Sequence, residues 1–84
     1  MKHFASPRFW AAYQLLPSTV RKLADANYAL LQRDPHHPSL QFKKVGRYWS
    51  ARVGLRYRAL AVETEGGYLW FWIGSHADYD RLIG

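Results

Sequence analysis

Residues Tyr68–Tyr79 read YLWFWIGSHADY, the most apolar run in the chain, and the run stops abruptly at Gly74, Ser75 and His76. So many aromatic and β-branched residues, bounded by Gly66-Gly67 and Gly74, read as a central β-strand, because such side chains pack well on a pleated surface. Side chains alternate between the two faces of a strand. Leu69, Phe71 and Ile73 are therefore expected on one face, and Tyr68, Trp70, Trp72 and Gly74 on the other. One face needs a cover of helices. The other would carry three large rings with polar handles and deliver the chain to a histidine at the strand's end.

The segments before this strand supply the cover. Ser6-Pro7 reads as an N-cap followed by proline at the first helical position, where a missing N–H costs nothing. Phe9, Trp10, Tyr13 and Leu16 follow at helical spacing, which predicts a short helix over 7–16 with an aromatic inner face. Pro17 ends it, and Ser18 can cap a longer helix to about Gln32. Val20, Leu23, Ala24, Asn27, Leu30 and Leu31 share one stripe, while Arg21, Lys22, Asp25 and Arg33 lie off it. Asn27, within an apolar stripe, is expected to bond backbone.

Asp34–Pro38 is a stiff turn, since two prolines exclude helix at and before themselves. Beyond it the period changes to two. Leu40–Val45, Tyr48–Val53, Tyr57–Glu63 and Tyr68–Ile73 are predicted as strands joined by short connections, which makes neighbours antiparallel. Met1–Phe4 could add a short edge strand, and Asp78–Ile83 a closing helical turn. The expected fold is α+β: one domain over 1–84, with a helical hairpin on one face of a four-stranded, mostly antiparallel sheet and the other face open.

The hairpin at Gly54 decides which side chains share that open face. If Arg52 sits opposite Arg58, then Trp49, Ala51, Val53, Tyr57, Ala59 and Ala61 lie under the helices. Tyr48, Ser50, Arg52 and Arg58 are left outside. A two-residue loop would instead bury Arg58 among apolar side chains at high cost. The first register therefore holds, and two arginines converge beside Trp70 and Trp72, with His76 just past the strand. Guanidinium groups fork onto phosphate oxygens, and rings stack unpaired bases. The competing reading packs both tryptophans as half-buried core and pairs both arginines with carboxylates.

Charge agrees with an anionic partner. The chain has 84 residues, a net charge of +6 and a pI of about 10.0, which favours nucleic acid or an acidic protein. There is no cysteine, so disulfides, thiolate metal sites and cysteine nucleophiles are excluded. No stretch approaches the roughly 20 apolar residues of a membrane helix, and no signal-peptide pattern opens the chain. A cytoplasmic location is the expectation. His36 and His37 lie inside a turn locked by Pro35 and Pro38, with no further ligand pattern, so no metal and no cofactor is expected.

LQFKKV, YWSARVGLRYRALAV and WIGSHADYDRL together resemble the RelE/ParE superfamily of toxin–antitoxin toxins, over nearly the whole chain from Phe9 onward. The resemblance implies a helical hairpin on an antiparallel sheet, a ribonuclease working on mRNA in the ribosomal A site, and an acidic antitoxin that wraps the toxin. Residue by residue, His76 matches a terminal catalytic histidine in the Gly-Ser-His ending. Arg58 matches an arginine that contacts the scissile phosphate, and Arg52 a neighbouring basic position. Lys43 and Lys44 fall near lysines used for RNA contact. No glutamate stands where some members carry a general base. The superfamily also holds gyrase inhibitors and inactive relatives, so a non-enzymatic binder is the alternative.

Metal-free RNA cleavage needs a base for the 2′-OH proton, an acid for the leaving 5′-oxygen and cations around the pentacoordinate phosphate. An imidazole can serve as acid or base, and arginines supply charge where it develops. The expected catalytic set is His76, Arg58, Arg52 and Tyr79, the last through its hydroxyl. Lys43, Lys44, Arg47, Trp70 and Trp72 are expected to bind RNA. The alternative for His76 is to start the last helical turn and bond a backbone carbonyl.

Overall fold

Helix punctuation in the sequence translates directly into structure. In the computed structural model, which describes residues 2–84, Ser6 Oγ accepts the Phe9 N–H at 3.2 Å and Pro7 opens helix α1, Pro7–Gln14. Helix α2 spans Ser18–Arg33 with Pro17, not Ser18, in the cap position and no side-chain cap bond. The two helices are tied by the Tyr13 hydroxyl, which donates to Asp25 Oδ1 at 2.8 Å, and by Arg21 Nη1, which donates to the Leu16 carbonyl at 2.7 Å.

Five strands form one sheet in the order β1-β5-β4-β3-β2: β1 Lys2–Ala5, β2 Lys43–Val45, β3 Tyr48–Val53, β4 Tyr57–Thr64 and β5 Gly67–Ser75. The expected four antiparallel strands are thus joined by a fifth, and β1 runs parallel to β5. It is the edge strand anticipated at the N-terminus, shifted to end at Ala5; Met1 lies outside the described residues. Gly67 admits it, because a Cβ there would run into the Lys2 carbonyl.

β2 is shorter than the period-two pattern implied. Pro38–Leu40 forms a 3₁₀ turn capped by His37, whose Nδ1 accepts the Ser39 N–H at 3.2 Å. Gln41 then takes a left-handed φ of 45°. This geometry drops Leu40 into the core at 1% exposure instead of placing it on a strand.

The β3–β4 hairpin has the expected register: Arg52 pairs with Arg58, Ala51 with Ala59 and Ser50 with Leu60. Gly54 turns it with φ 64°, and a Cβ there would meet Leu23 Cδ2 at 2.5 Å. The core between sheet and hairpin gathers Leu16, Leu31, Leu40, Ala51, Val53, Ala59, Ala61, Trp70 and Ile73. Asn27 bonds backbone as anticipated, with Nδ2 donating to the Arg52 carbonyl at 3.1 Å.

Strand β5 departs from simple alternation. Leu60 pairs with Trp72 but Ala61 pairs with Trp70, so Phe71 is an extra residue at a β-bulge. A bulge puts the two halves of a strand out of phase. Tyr68 and Trp70 therefore lie on the helix-covered side together with Ile73, while Leu69, Phe71 and Trp72 lie on the far side. Both predicted sets of faces are corrected by that single residue.

Nor is the far side fully open. Helix α3, His76–Ile83, begins two residues earlier than expected and lies across it. Leu82 and Ile83 border the β2–β3 turn at Val45–Tyr48. Under this cover Tyr79 is 7% exposed and Leu60 fully buried.

Candidate functional site

The far side of the sheet carries a cluster built from β3, β4, β5 and α3. Pairing of Arg52 with Arg58 places two guanidinium groups on adjacent strands, and pairing of Arg58 with Gly74 places that arginine beside the end of β5. Each is steadied by a backbone carbonyl: Arg52 Nε donates to Gly54 O at 3.0 Å, and Arg58 Nη1 to Tyr57 O at 2.9 Å. Arg58 Cζ lies 6.0 Å from the centre of the Tyr79 ring, within range of a cation–π contact.

Among the described residues the ion pairs are His76–Asp80 and Arg81–Asp78, so neither Arg52 nor Arg58 is matched with a carboxylate. Burial, and then the neighbouring Arg52 charge, pull the Arg58 pKa below its ordinary value. Two cations held side by side without a counterion form a ready anion site, because an anion relieves both the repulsion and the desolvation.

His76 opens α3 next to this pair. Ser75 is the N-cap, its Oγ accepting the Asp78 N–H at 3.2 Å, which leaves the imidazole free of that duty. The His76 backbone N–H donates to the Arg56 carbonyl at 2.7 Å and pins the start of the helix to the β3–β4 turn. Its ring Nδ1 lies 3.1 Å from Asp80 Oδ2, one helical turn on, and its ring centre 5.6 Å from that of Tyr79. The ring thus faces a carboxylate instead of a backbone carbonyl. With Nδ1 engaged by Asp80, Nε2 is the nitrogen available to a substrate.

The structure brings His76, Arg58, Arg52 and Tyr79 together, and separates the residues expected to bind RNA. Trp70 is withdrawn from that set: it is 6% exposed in the core beneath the helices, and its Nε1–H donates to His3 Nδ1 at 3.0 Å. The bulge at Phe71 is the reason. Trp72 stays on the far side, half-buried, with its six-membered ring over Gly74; a Cβ on Gly74 would meet Trp72 Cζ2 at 2.5 Å. Lys43, Lys44 and Arg47 are all exposed on β2 and its turn. Lys43 pairs with Ser50 on the side of the arginines and Lys44 with Trp49 on the other. Arg47 lies at the end of α3 remote from His76.

Asp80 and Gly74 were not singled out in the sequence. Asp80 had a signal, since residues four apart on a helix face each other. Gly74 had none beyond its place as a strand terminator.

A ParE-like toxin domain matches residues 18–81. Among solved structures, a chain of the RelB-RelE antitoxin-toxin complex from Methanococcus jannaschii is similar at TM-score 0.73 and 15% identity, covering 96% of this chain and 99% of that one. The YoeB/ParE toxin from Agrobacterium tumefaciens is similar at TM-score 0.67 and 16% identity, over 90% of this chain and 99% of that chain. The isolated E. coli RelE toxin follows at 0.63 and 11%, over 95% and 93%. At these identities the likeness is one of fold. No curated relative matches the chain.

Proposed function

This chain belongs to the RelE/ParE superfamily of toxins through its ParE-like toxin domain, and from that premise we propose that it is the toxin of a type II toxin–antitoxin pair. In this reading it is a metal-independent, ribosome-associated mRNA endonuclease of the cytoplasm, neutralised by an acidic antitoxin. The observation that carries it is the Arg52–Arg58 pair, unmatched by any carboxylate among the described residues and adjoining an imidazole oriented by Asp80. The antitoxin–toxin complex among the similar folds supports the partner.

The chemistry follows from the geometry. Arg58 and Arg52 hold the scissile phosphate and stabilise the charge that builds on its oxygens as the 2′-oxygen attacks. His76 Nε2 takes or gives one of the two protons in flight. Tyr79 packs its ring against both His76 and Arg58 and so positions them, and its hydroxyl is assigned to the second proton. Trp72, its ring over Gly74, offers a stacking surface to a base, and Lys43 on the same side of the sheet and Arg47 in the β2–β3 turn track the RNA backbone, with Lys44 reaching it only around the β2 edge.

One observation favours a second reading, a non-enzymatic binder that poisons gyrase or pairs with an antitoxin alone. His76 is the one imidazole of the cluster, and the chain's two glutamates, Glu63 and Glu65, lie at and beyond the far end of β4 from it.

Inducing the chain in a host and mapping mRNA ends tests both. His76→Gln and Arg58→Ala are expected to lower cleavage by about 10²–10⁴ while leaving the fold intact. Full cleavage by His76→Gln would move the chemistry elsewhere. Growth arrest by the unmodified chain without mRNA cuts would select the binder.

A further inference from the structure

Leu55 stands at the tip of the β3–β4 hairpin, in the short loop between Val53 and Tyr57, and is 78% exposed. Single exposed leucines are common on protein surfaces. This one is set apart by what holds it. On one side, the Gly54 carbonyl accepts Arg52 Nε at 3.0 Å, and a Cβ on Gly54 would run into Leu23 of α2. On the other, the Arg56 carbonyl accepts the His76 N–H at 2.7 Å. The backbone is thus pinned at both neighbours, and the pinned tip presents an apolar side chain to water.

The tip adjoins the candidate site. Arg52 and Arg58 lie three residues to either side of Leu55, a stretch that spans at most about 11 Å. The bond from His76 fixes the start of α3 to the residue next to Leu55. From Arg52 to Arg58 the chain holds three arginines and no carboxylate, and the Arg56 side chain is exposed. An occupant of this tip therefore carries negative charge, and it offers the leucine an apolar surface between those charges. A single RNA strand does both: phosphates for the arginines, and the faces of stacked bases for the leucine. Leucine is among the apolar side chains that wedge between base steps and unstack them.

The cleavage chemistry requires such a step. The 2′-oxygen forms a bond to phosphorus as the P–O5′ bond breaks; the 2′-OH proton goes to the base, and the 5′-oxygen takes one from the acid. Attack is productive only with the 2′-oxygen behind the breaking bond. A regularly stacked strand keeps it to the side, so neighbouring bases must splay apart first, as enzymes acting on nucleic acid do when they pull a base from its stack.

We propose that Leu55 is an unstacking wedge: it enters between two successive bases beside the phosphate held by Arg52 and Arg58 and turns the 2′-oxygen into line. This rests on the ribonuclease reading above and assigns that site a positioning residue which contributes neither charge nor proton.

The test uses ribosomes programmed with an mRNA whose cut site has been mapped. 2-Aminopurine next to the scissile phosphate brightens when its base unstacks, and a 2′-deoxy sugar at the attacking position keeps the strand whole. The unmodified chain is expected to raise the fluorescence. Leu55→Ala should lose most of that rise and lower kcat on the all-ribose mRNA by about 10²-fold, the scale of a misplaced reacting group. Its KM and fold should be unchanged, because the side chain is exposed and carries no charge. Leu55→Met, which restores the apolar bulk, should recover both signals. Full kcat in Leu55→Ala, or cleavage by the unmodified chain with no rise in fluorescence, would overturn the wedge and leave the ribonuclease reading standing. An all-ribose mRNA left uncut by the unmodified chain would overturn both.

Discussion

Trp70 and Trp72 are two residues apart, and the structure gives them opposite tasks. Trp70→Ala removes a ring that is 6% exposed and leaves a hole among Ala61, Ile73 and Phe42, a change that costs about 3–5 kcal/mol in other cores. A domain of this length holds roughly 4–13 kcal/mol in total, so much of the population should unfold. Trp70→Phe is the sharper probe. It keeps most of the apolar contact but deletes the Nε1 donor to His3 Nδ1, leaving a part-buried acceptor unfilled at about 1–3 kcal/mol. For a domain of this size each kcal/mol lowers Tm by about 4–8 °C. RNA affinity of the folded fraction should be unchanged. Trp72→Ala should do the reverse: a smaller loss of stability, because the ring is half-buried, and a loss of RNA affinity of about 1–3 kcal/mol for one stacked base. Thermal unfolding by circular dichroism and RNA titration at low salt read both quantities. The reasoning fails if Trp70→Phe is as stable as the parent, or if it loses RNA affinity while remaining folded.

Two further outcomes follow from the same contacts. Burial, and then the positive amino terminus, lower the His3 pKa, so the unfolded chain binds the proton more readily than the folded one. Stability should be full above the ordinary histidine value of about 6.5 and fall as pH drops below it, with His3→Gln flattening that slope in denaturant titrations. Gly74→Val should clash with the ring of Trp72 and tip it off the sheet, weakening RNA binding at high retained helicity; a variant that binds RNA as the parent does would remove Trp72 from the interface.

Much of this fold was legible along the chain because local chemistry and global packing agree there. Ser6-Pro7 starts a helix wherever it stands, since a hydroxyl acceptor and a fixed φ suit a first turn. The stripe from Val20 to Leu31 has one way to bury itself, and Asn27 within it had to find backbone. The Arg52–Arg58 register could be chosen because the alternative buries a charge, an energy large enough to decide without coordinates. Helical hairpin, sheet, arginine pair and nearby histidine all follow from such terms.

Tertiary structure decided what depends on pairing between distant segments. Whether β5 holds a bulge is set by how Phe71 fits against Tyr48 and by the pairing with β4, and no period in YLWFWIGS announces it. One extra residue exchanges the faces of half a strand, so Trp70 moved from the presumed RNA surface into the core. β1 joins parallel to β5 only because Gly67 leaves room for the Lys2 carbonyl, a contact spanning most of the chain. Helix α3 covers Leu60 and Tyr79 because an eight-residue amphipathic segment at the end of β5 can reach the far face, turning an expected open platform into a partly covered site. The sequence alone determines which groups can do chemistry, because that is a property of side chains. Which of them meet is determined by register and crossing, and a single bulge is enough to change the answer.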